Sequence, residues 1–379
     1  MKVRRWTAAL LCPALLFFCG VGGQRVQAAT APGISSLSAV VYEPESGTVL
    51  YEKDSRTPRP MASTTKLMTA LLAAQMLSPD AAVTVPAGAV PVEGSQIGLA
   101  AGDETTVRDL LAGLLLASGN DTANALALLM ADSLPAFAEK MNAQAAALGM
   151  TDSTFVTPSG LDAEGHRASA RDMALLGAAV LEQPLLAQLC ASLSQTVTVG
   201  GHRMTLSNHN KLLKLYDGCI GMKTGFTKKS GRCLVSAARK DGVTLIIATL
   251  NGGDYWNDHI ALYNYAFSLV RRQPLPAAAP AACPVAGGTA DVVPLVTDPL
   301  PEVILRQGES VTATAKLPRF LWAPVEAGQV VGQVRYTAGD RLLATVELRA
   351  AQSVPARPTP GFWARLGRRW RQLADAVLR

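Results

Sequence analysis

Met61-Ala-Ser-Thr-Thr-Lys-Leu-Met-Thr69 decides how the chain is read, because it places a serine and a lysine three residues apart at the start of an apolar helical stretch running to Leu77. On a helix those two side chains lie on one face, one turn apart. Lys66 can therefore reach the hydroxyl of Ser63 and serve as its base. An ammonium accepts no proton, so that role requires Lys66 to be held neutral by burial and by nearby positive charge.

Two further motifs supply what such a pair would need. Ser118-Gly-Asn120 falls in a helix-flanking loop, and Lys223-Thr-Gly225 lies on a strand that enters a hairpin turn. Ser-x-x-Lys alone is expected by chance roughly 0.6 times in a chain like this, but Lys-Thr-Gly under about 0.1 times, and the ordered set far less often. Lys223 is the natural second charge. Ser118 can relay a proton to a leaving amine, and the Asn120 amide can bind a substrate amide. Lys223 and Thr224 at a strand edge can bind a carboxylate. The backbone N–H groups of Ser63 and of Phe226, just after Gly225, form a candidate oxyanion hole. Taken singly, each residue has a plainer reading as a helix cap, a loop or a solvated lysine.

The surrounding pattern predicts an α+β domain with an antiparallel sheet joined by both ends of the domain and a cluster of helices between. Residues 35–53 read as a hairpin turning at Glu43-Pro-Glu-Ser-Gly47. Helical stretches follow over 107–130, 134–148 and 169–181, then short β runs over 218–224, 232–237 and 242–250 and a closing helix over 256–271. The Ala/Pro stretch 273–289 reads as a linker and 290–352 as a small all-β sandwich.

The chain ends account for its charge. Of a formal +6, residues 1–28 carry +4 and residues 357–379 carry +5, which leaves the body at −3 and argues against a folded nucleic-acid groove. Residues 1–28 combine Lys2, Arg4 and Arg5 with a short apolar run and a small-residue site at Ala28, the layout of an export signal. Residues 353–379 predict an amphipathic helix, with Phe362, Trp363, Leu366, Trp370, Leu373 and Val377 on one side and arginines on the other, suited to lying in a membrane interface. Export permits a disulfide, and Cys219 with Cys233 is the pair to test; two buried thiols is the equal alternative. The four histidines show no metal-ligand spacing, and no phosphate-binding loop stands out, so neither a metal nor another cofactor is expected.

The text around the motifs, including Gly160-Leu-Asp162, Ala170-Arg-Asp-Met-Ala174, Asn208-His-Asn-Lys-Leu212 and Gly221-Met-Lys-Thr-Gly-Phe-Thr227, resembles the low-molecular-mass penicillin-binding proteins that are serine-type D-alanyl-D-alanine carboxypeptidases, the S11 peptidases. The resemblance is strong over residues 35–272. It implies a penicillin-binding/β-lactamase-like domain whose Ser63 is acylated by a peptidoglycan stem peptide ending in D-Ala-D-Ala, or by a β-lactam. It also implies a place on the outer face of the cytoplasmic membrane. His209 stands where some relatives carry arginine, which leaves its role open. A β-lactamase is the first alternative, although neither Glu164 nor Glu182 has the Glu-x-x-x-Asn setting that deacylation there needs. A non-catalytic penicillin sensor is the second.

Overall fold

The structure, a computed structural model, describes residues 30–358, 361, 366–367 and 369–372. The expected export signal (1–28) and most of the expected amphipathic helix over 353–379 lie outside the described residues; residues 353–358, expected to open that helix, are instead extended, because Val354 pairs with Val325 and Ala356 with Gly288 in the C-terminal β region.

Strands β1 (Ser38–Glu43) and β2 (Thr48–Lys53) form the opening hairpin. The helical region follows, with α1 (Lys66–Met76), the short pair β3 (Ala82–Thr84) and β4 (Glu104–Thr106), then α2 (Val107–Leu115), α3 (Asn120–Met130), α4 (Leu134–Ala147), α5 (Ala170–Leu181) and α6 (Pro184–Ala191). Hairpin β5 (Ser194–Val199) and β6 (His202–Ser207) and the single turn α7 (Leu212–Leu215) lead into the long strands β7 (Cys219–Thr227), β8 (Gly231–Lys240) and β9 (Val243–Gly252), closed by α8 (Tyr255–Leu269). The central antiparallel sheet has the order β2-β1-β9-β8-β7, so the first hairpin is annexed by the last strands.

Alternation along these strands explains the layering, since successive side chains point to opposite faces. Val40, Val235, Ile246 and Ala248 pack toward the helical cluster, whereas Ala39, Val41, Leu234 and Ile247 pack with Leu262 and Tyr263 of α8. Both faces are covered, which is why β8 and β9 are apolar almost throughout.

Two further local expectations need correction, and one open alternative is decided. The stretch expected to be helical over 107–130 breaks between α2 and α3, where Ser118 takes a left-handed φ of +62°. A continuous helix would have carried Ser118 around its axis, and the break instead delivers it to the cleft described below. The expected linker is partly strand. Its first two residues end β10 (Val270–Pro274), and β11 (Ala282–Ala286) lies wholly within it. Cys283 and Val285 are buried while Ala282 and Pro284 face outward, so a period-two pattern lay hidden under the proline content. Finally, Cys219 lies level with Ala238 and Cys233 lies opposite Gly225. That separates the two cysteines by roughly 20 Å along the ladder, far beyond the Cα spacing of about 6 Å that a disulfide tolerates, and both thiols are free.

The C-terminal region is all β. Strands β12 (Val292–Thr297), β13 (Glu302–Arg306), β14 (Thr312–Lys316), β15 (Leu321–Trp322), β16 (Val330–Ala338) and β17 (Arg341–Ala350) complete a six-stranded sheet of order β14-β16-β17-β12-β11-β15 and the pair β10-β13. Through β10-β13 the two regions are joined by a ladder. Arg306 also donates to Thr48 Oγ1 at 3.2 Å, and Ile304 enters the core under α8.

Candidate active site

Ser63 sits on a tight turn, Ala62–Thr65, that runs directly into α1. Ala62 has a φ of +48°, and Thr64 Oγ1 donates to Met61 O at 2.6 Å, so the turn is bent and then fastened. Strand β7 passes against it at backbone contact. A Cβ on Gly225 would stand 2.9 Å from Ser63 N and 3.0 Å from Met61 O, so only glycine lets the strand approach.

Lys66 is fully buried one turn beyond. Its Nζ stands 2.8 Å from Ser63 Oγ, 2.6 Å from Asn120 Oδ1 and 2.6 Å from the Ser159 carbonyl. Burial drives its pKa well below the ordinary lysine value, the Lys223 charge pushes the same way, and Asp121 opposes them. A neutral amine donates to the Asn120 and Ser159 oxygens and turns its lone pair to the Ser63 hydroxyl.

The Ser159 carbonyl was not anticipated from the sequence, although Gly160 stood in a quoted motif. Gly160 has a φ of +85°, and a Cβ there would lie 2.0 Å from Ala62 O. The loop thus lies flat against the serine turn. His166 pins the same loop, accepting at Nδ1 from Val156 N at 2.9 Å, which leaves Nε2–H to donate to Thr65 Oγ1 at 2.9 Å. This neutral form is enforced mainly by burial, with Asp162 opposing, and the pKa falls to about 4.

A pH prediction follows for stability. The unfolded chain binds the His166 proton at 6.5 and the folded chain only near 4, so the stabilisation is complete above about pH 6.5 and is lost as the pH falls. Buried His259, lowered to about 3, adds to the same slope. Between pH 6.5 and 5 each histidine should remove about 2 kcal/mol. Urea unfolding at the two pH values checks this, and His166→Gln should roughly halve the decline.

Asn120 begins α3 and is 4% exposed. Its Oδ1 is engaged by Lys66 and its Nδ2 donates to Glu93 O at 2.6 Å, which leaves one amide hydrogen for any ligand. Next to it, buried Asp121 accepts from the backbone N–H groups of Ile97, Gly98 and Leu99, holding that loop beside the site. Ser118 shares the cleft with Ser63. Among the described residues no side-chain hydrogen bond joins Ser118 to Ser63, Lys66 or Lys223.

Lys223 is 1% exposed, and its Nζ donates to Thr224 O at 3.0 Å. Burial lowers its pKa to about 7, with the Cys190 thiol opposing. The strand is distorted just before it. Gly221 and Met222 have φ values of +97° and +91°, and a Cβ on Gly221 would lie 1.9 Å from Cys190 O. A non-glycine residue at such an angle costs about 1–3 kcal/mol, and the buried Met222 side chain, 1% exposed, packs against α5 to hold it.

Ser63, Ser118, Thr224, Gly225 and Phe226 line one cleft of about 400 Å3. Sequence reasoning left out Ser95, Lys211, Arg232, Tyr255 and Trp256, which line it too, and left His209 without a role. Arg232 lies opposite Phe226 in the β7–β8 ladder, its guanidinium 5.7 Å from the Phe226 ring. The Tyr255 and Trp256 rings lie 4.2 Å apart, tilted by 31°. Burial and the Lys223 charge both lower the His209 pKa. Among the described residues no group of three His, Cys, Asp or Glu side chains could hold a metal ion.

Comparison with known proteins places this geometry. The family model "D-alanyl-D-alanine carboxypeptidase", Peptidase S11, matches residues 25–253, more than half of the chain. The chain belongs to the S11 D-alanyl-D-alanine carboxypeptidase family. A second model, the C-terminal domain of penicillin-binding protein 5, matches residues 279–356 and so takes in β11. D-alanyl-D-alanine carboxypeptidase DacF of Bacillus subtilis is 31% identical over 332 residues, covering 84% of this chain and 85% of its own. DacB2 of Mycobacterium tuberculosis is 35% identical over 61% of this chain and 81% of its own. Among solved structures, penicillin-binding protein 5 of Haemophilus influenzae aligns with a TM-score of 0.66 at 26% identity, covering 86% of this chain and 99% of that one. PBP3 of Streptococcus pneumoniae aligns at 0.70 and 25%, covering 85% and 100%. This S11 chain therefore has the penicillin-binding-protein fold and a serine-peptidase family assignment.

Proposed function

We propose that the chain removes the terminal D-alanine from peptidoglycan stem peptides through an acyl-enzyme on Ser63, and that β-lactams acylate the same oxygen. The observation that carries this is the fully buried Lys66 Nζ, 2.8 Å from Ser63 Oγ. Ser63 Oγ attacks the carbonyl between the two D-alanines while its proton passes to neutral Lys66. The N–H groups of Ser63 and Phe226 receive the oxyanion. Collapse breaks the C–N bond and expels D-alanine, whose amine takes the proton by way of Ser118. Water then adds to the ester, Lys66 takes its proton, and Ser63 regains a hydrogen as the shortened peptide leaves.

Thr224 and Lys223 would bind the substrate's terminal carboxylate, with the remaining Asn120 hydrogen on its backbone. Arg232 at the cleft rim, opposite Phe226 and on the same face of the ladder as Thr224, adds positive charge there. The β-lactamase reading is disfavoured because neither Glu164 nor Glu182 lines the cleft.

The reading extends to location. Residues 1–28 would direct export, and residues 353–379 would hold the enzyme at the outer face of the cytoplasmic membrane, where its substrate lies. Among the described residues no single helix is long and apolar enough to cross a membrane. D-alanine released from a pentapeptide stem, and not released by Ser63→Ala, tests the catalytic proposal.

A further inference from the structure

The C-terminal sheet ends in an exposed aromatic pair that the catalytic reading does not use. Trp322 on β15 is 73% exposed and Phe320 just before it 43% exposed, and their rings meet edge to face at 5.1 Å. Two aromatic rings held against each other in water cover little of one another, so their apolar area stays open to a partner. Beside them an apolar groove of about 510 Å3 runs between Leu317, Pro318, Val330 and Val331, and Val330 itself is 47% exposed.

Charge and chain path identify the partner. Residues 310–325 contain Lys316 and Arg319, both exposed, and no acidic residue. The tail leaves the fold at this edge. Ala286 is the ladder partner of Trp322, Ala323 N donates to Ala286 O at 3.0 Å, and Arg357 N donates to the next carbonyl, Gly287 O, at 2.8 Å. Residues 356–358 thus run beside the end of β11, the strand that pairs with β15, and Val354 pairs with Val325 just past the aromatic pair. The nearby carboxylate of Asp291 is paired with Arg357 at 2.6 Å. Residues 359–379, with Trp363, Trp370 and five arginines, continue from that point.

We propose that Phe320 and Trp322, flanked by Lys316 and Arg319, are a second contact with an anionic lipid surface, made by the folded domain beside the tail. Tryptophan and phenylalanine enter the headgroup boundary while the cations meet lipid phosphate. Two contacts fixed to one edge act together, because binding of the tail presents the loop at high local concentration. They also set how the domain stands on the surface, which a single contact would not fix. The proposal rests on the membrane-attachment reading above.

The test uses the full chain, a Phe320→Ser/Trp322→Ser variant, and a chain ending at residue 358, each with vesicles of phosphatidylglycerol and phosphatidylethanolamine. The loop variant should bind about tenfold more weakly than the parent, while penicillin acylation in solution stays unchanged and reports an intact fold. Brominated lipids should quench the parent's tryptophan emission more than that of Trp322→Phe. Loss of binding on tail removal with no change in the loop variant overturns the loop contact and leaves tail attachment standing. No binding by the parent chain overturns both. A loop variant that alters self-association in sedimentation, with vesicle binding untouched, assigns the patch to a second copy and overturns the lipid assignment.

Discussion

Lys66→Met should slow acylation of Ser63 by on the order of a thousandfold, within the 10^2–10^4 range that a positioned base contributes. Methionine is unbranched, only one heavy atom shorter than lysine and tolerant of burial, so the effect on the fold should be smaller than the effect on rate. It removes the nitrogen hydrogen-bonded to Ser63 Oγ and leaves Asn120 Oδ1 and the Ser159 carbonyl without their 2.6 Å partner. Two unpaired buried acceptors cost about 1–3 kcal/mol each, so some loss of melting temperature accompanies the rate effect. Stopped-flow acylation by a chromogenic β-lactam measures the rate, and a thermal scan bounds the structural part. A variant that acylates within tenfold of the parent would show that another group takes the Ser63 proton.

Gly160→Ala should have the second-largest effect, and on stability and rate together. The new Cβ would lie 2.0 Å from Ala62 O and 2.9 Å from Ser63 N, at a φ of +85° that alanine disfavours. The backbone term alone costs about 1–2 kcal/mol. The clash is with backbone, which cannot rotate away, so the loop or the serine turn must move. We expect a total loss of at least about 3 kcal/mol. Displacing the Ser159 carbonyl also loosens Lys66, for a further fall of about a hundredfold in acylation. Gly165→Ala is the control. It has a similar φ, +77°, with nothing within 4 Å, so it should show only the backbone cost and leave acylation near the parent rate.

These two expectations separate what local sequence conveys from what only the fold conveys. The Ser63–Lys66 relation was legible because three residues on one turn suffice to define it. Lys223 was legible as a charge near that pair because its tripeptide is rare and sits on a strand. The carbonyl of Ser159, more than ninety residues along the chain from Lys66, was not, since a backbone oxygen carries no side-chain signature. Gly160 offered the available clue, as a glycine amid residues that would otherwise continue an ordinary loop. Arg232, Tyr255 and Trp256 reach the cleft only through strand register and the start of α8. The sequence text contains that register once the Lys223-Thr-Gly225 strand is paired across its turn, which also separates Cys219 from Cys233.

Elsewhere the difficulty was competing local signals. Pro274, Pro276, Pro280 and Pro284 suggested a linker, yet Cys283 and Val285 alternate inward between outward-facing neighbours. Gly200-Gly201 between alternating stretches is a two-residue hairpin turn, with φ values of +53° and +79°, and the β5–β6 hairpin it makes was readable on that basis although it had not been expected. The break before α3 is marked by Gly119 in the Ser118-Gly-Asn120 loop, but nothing local foretells the positive φ of Ser118.

The most direct measurement of the central claim follows one sample of the purified protein in two ways. Mass spectrometry locates the adduct formed with penicillin, and an enzymatic assay counts D-alanine released from a pentapeptide stem. We expect the adduct on Ser63 and repeated release of D-alanine, both absent in Ser63→Ala. An adduct on Ser63 with no D-alanine above that control would contradict the claim, and would make the chain a penicillin-binding sensor.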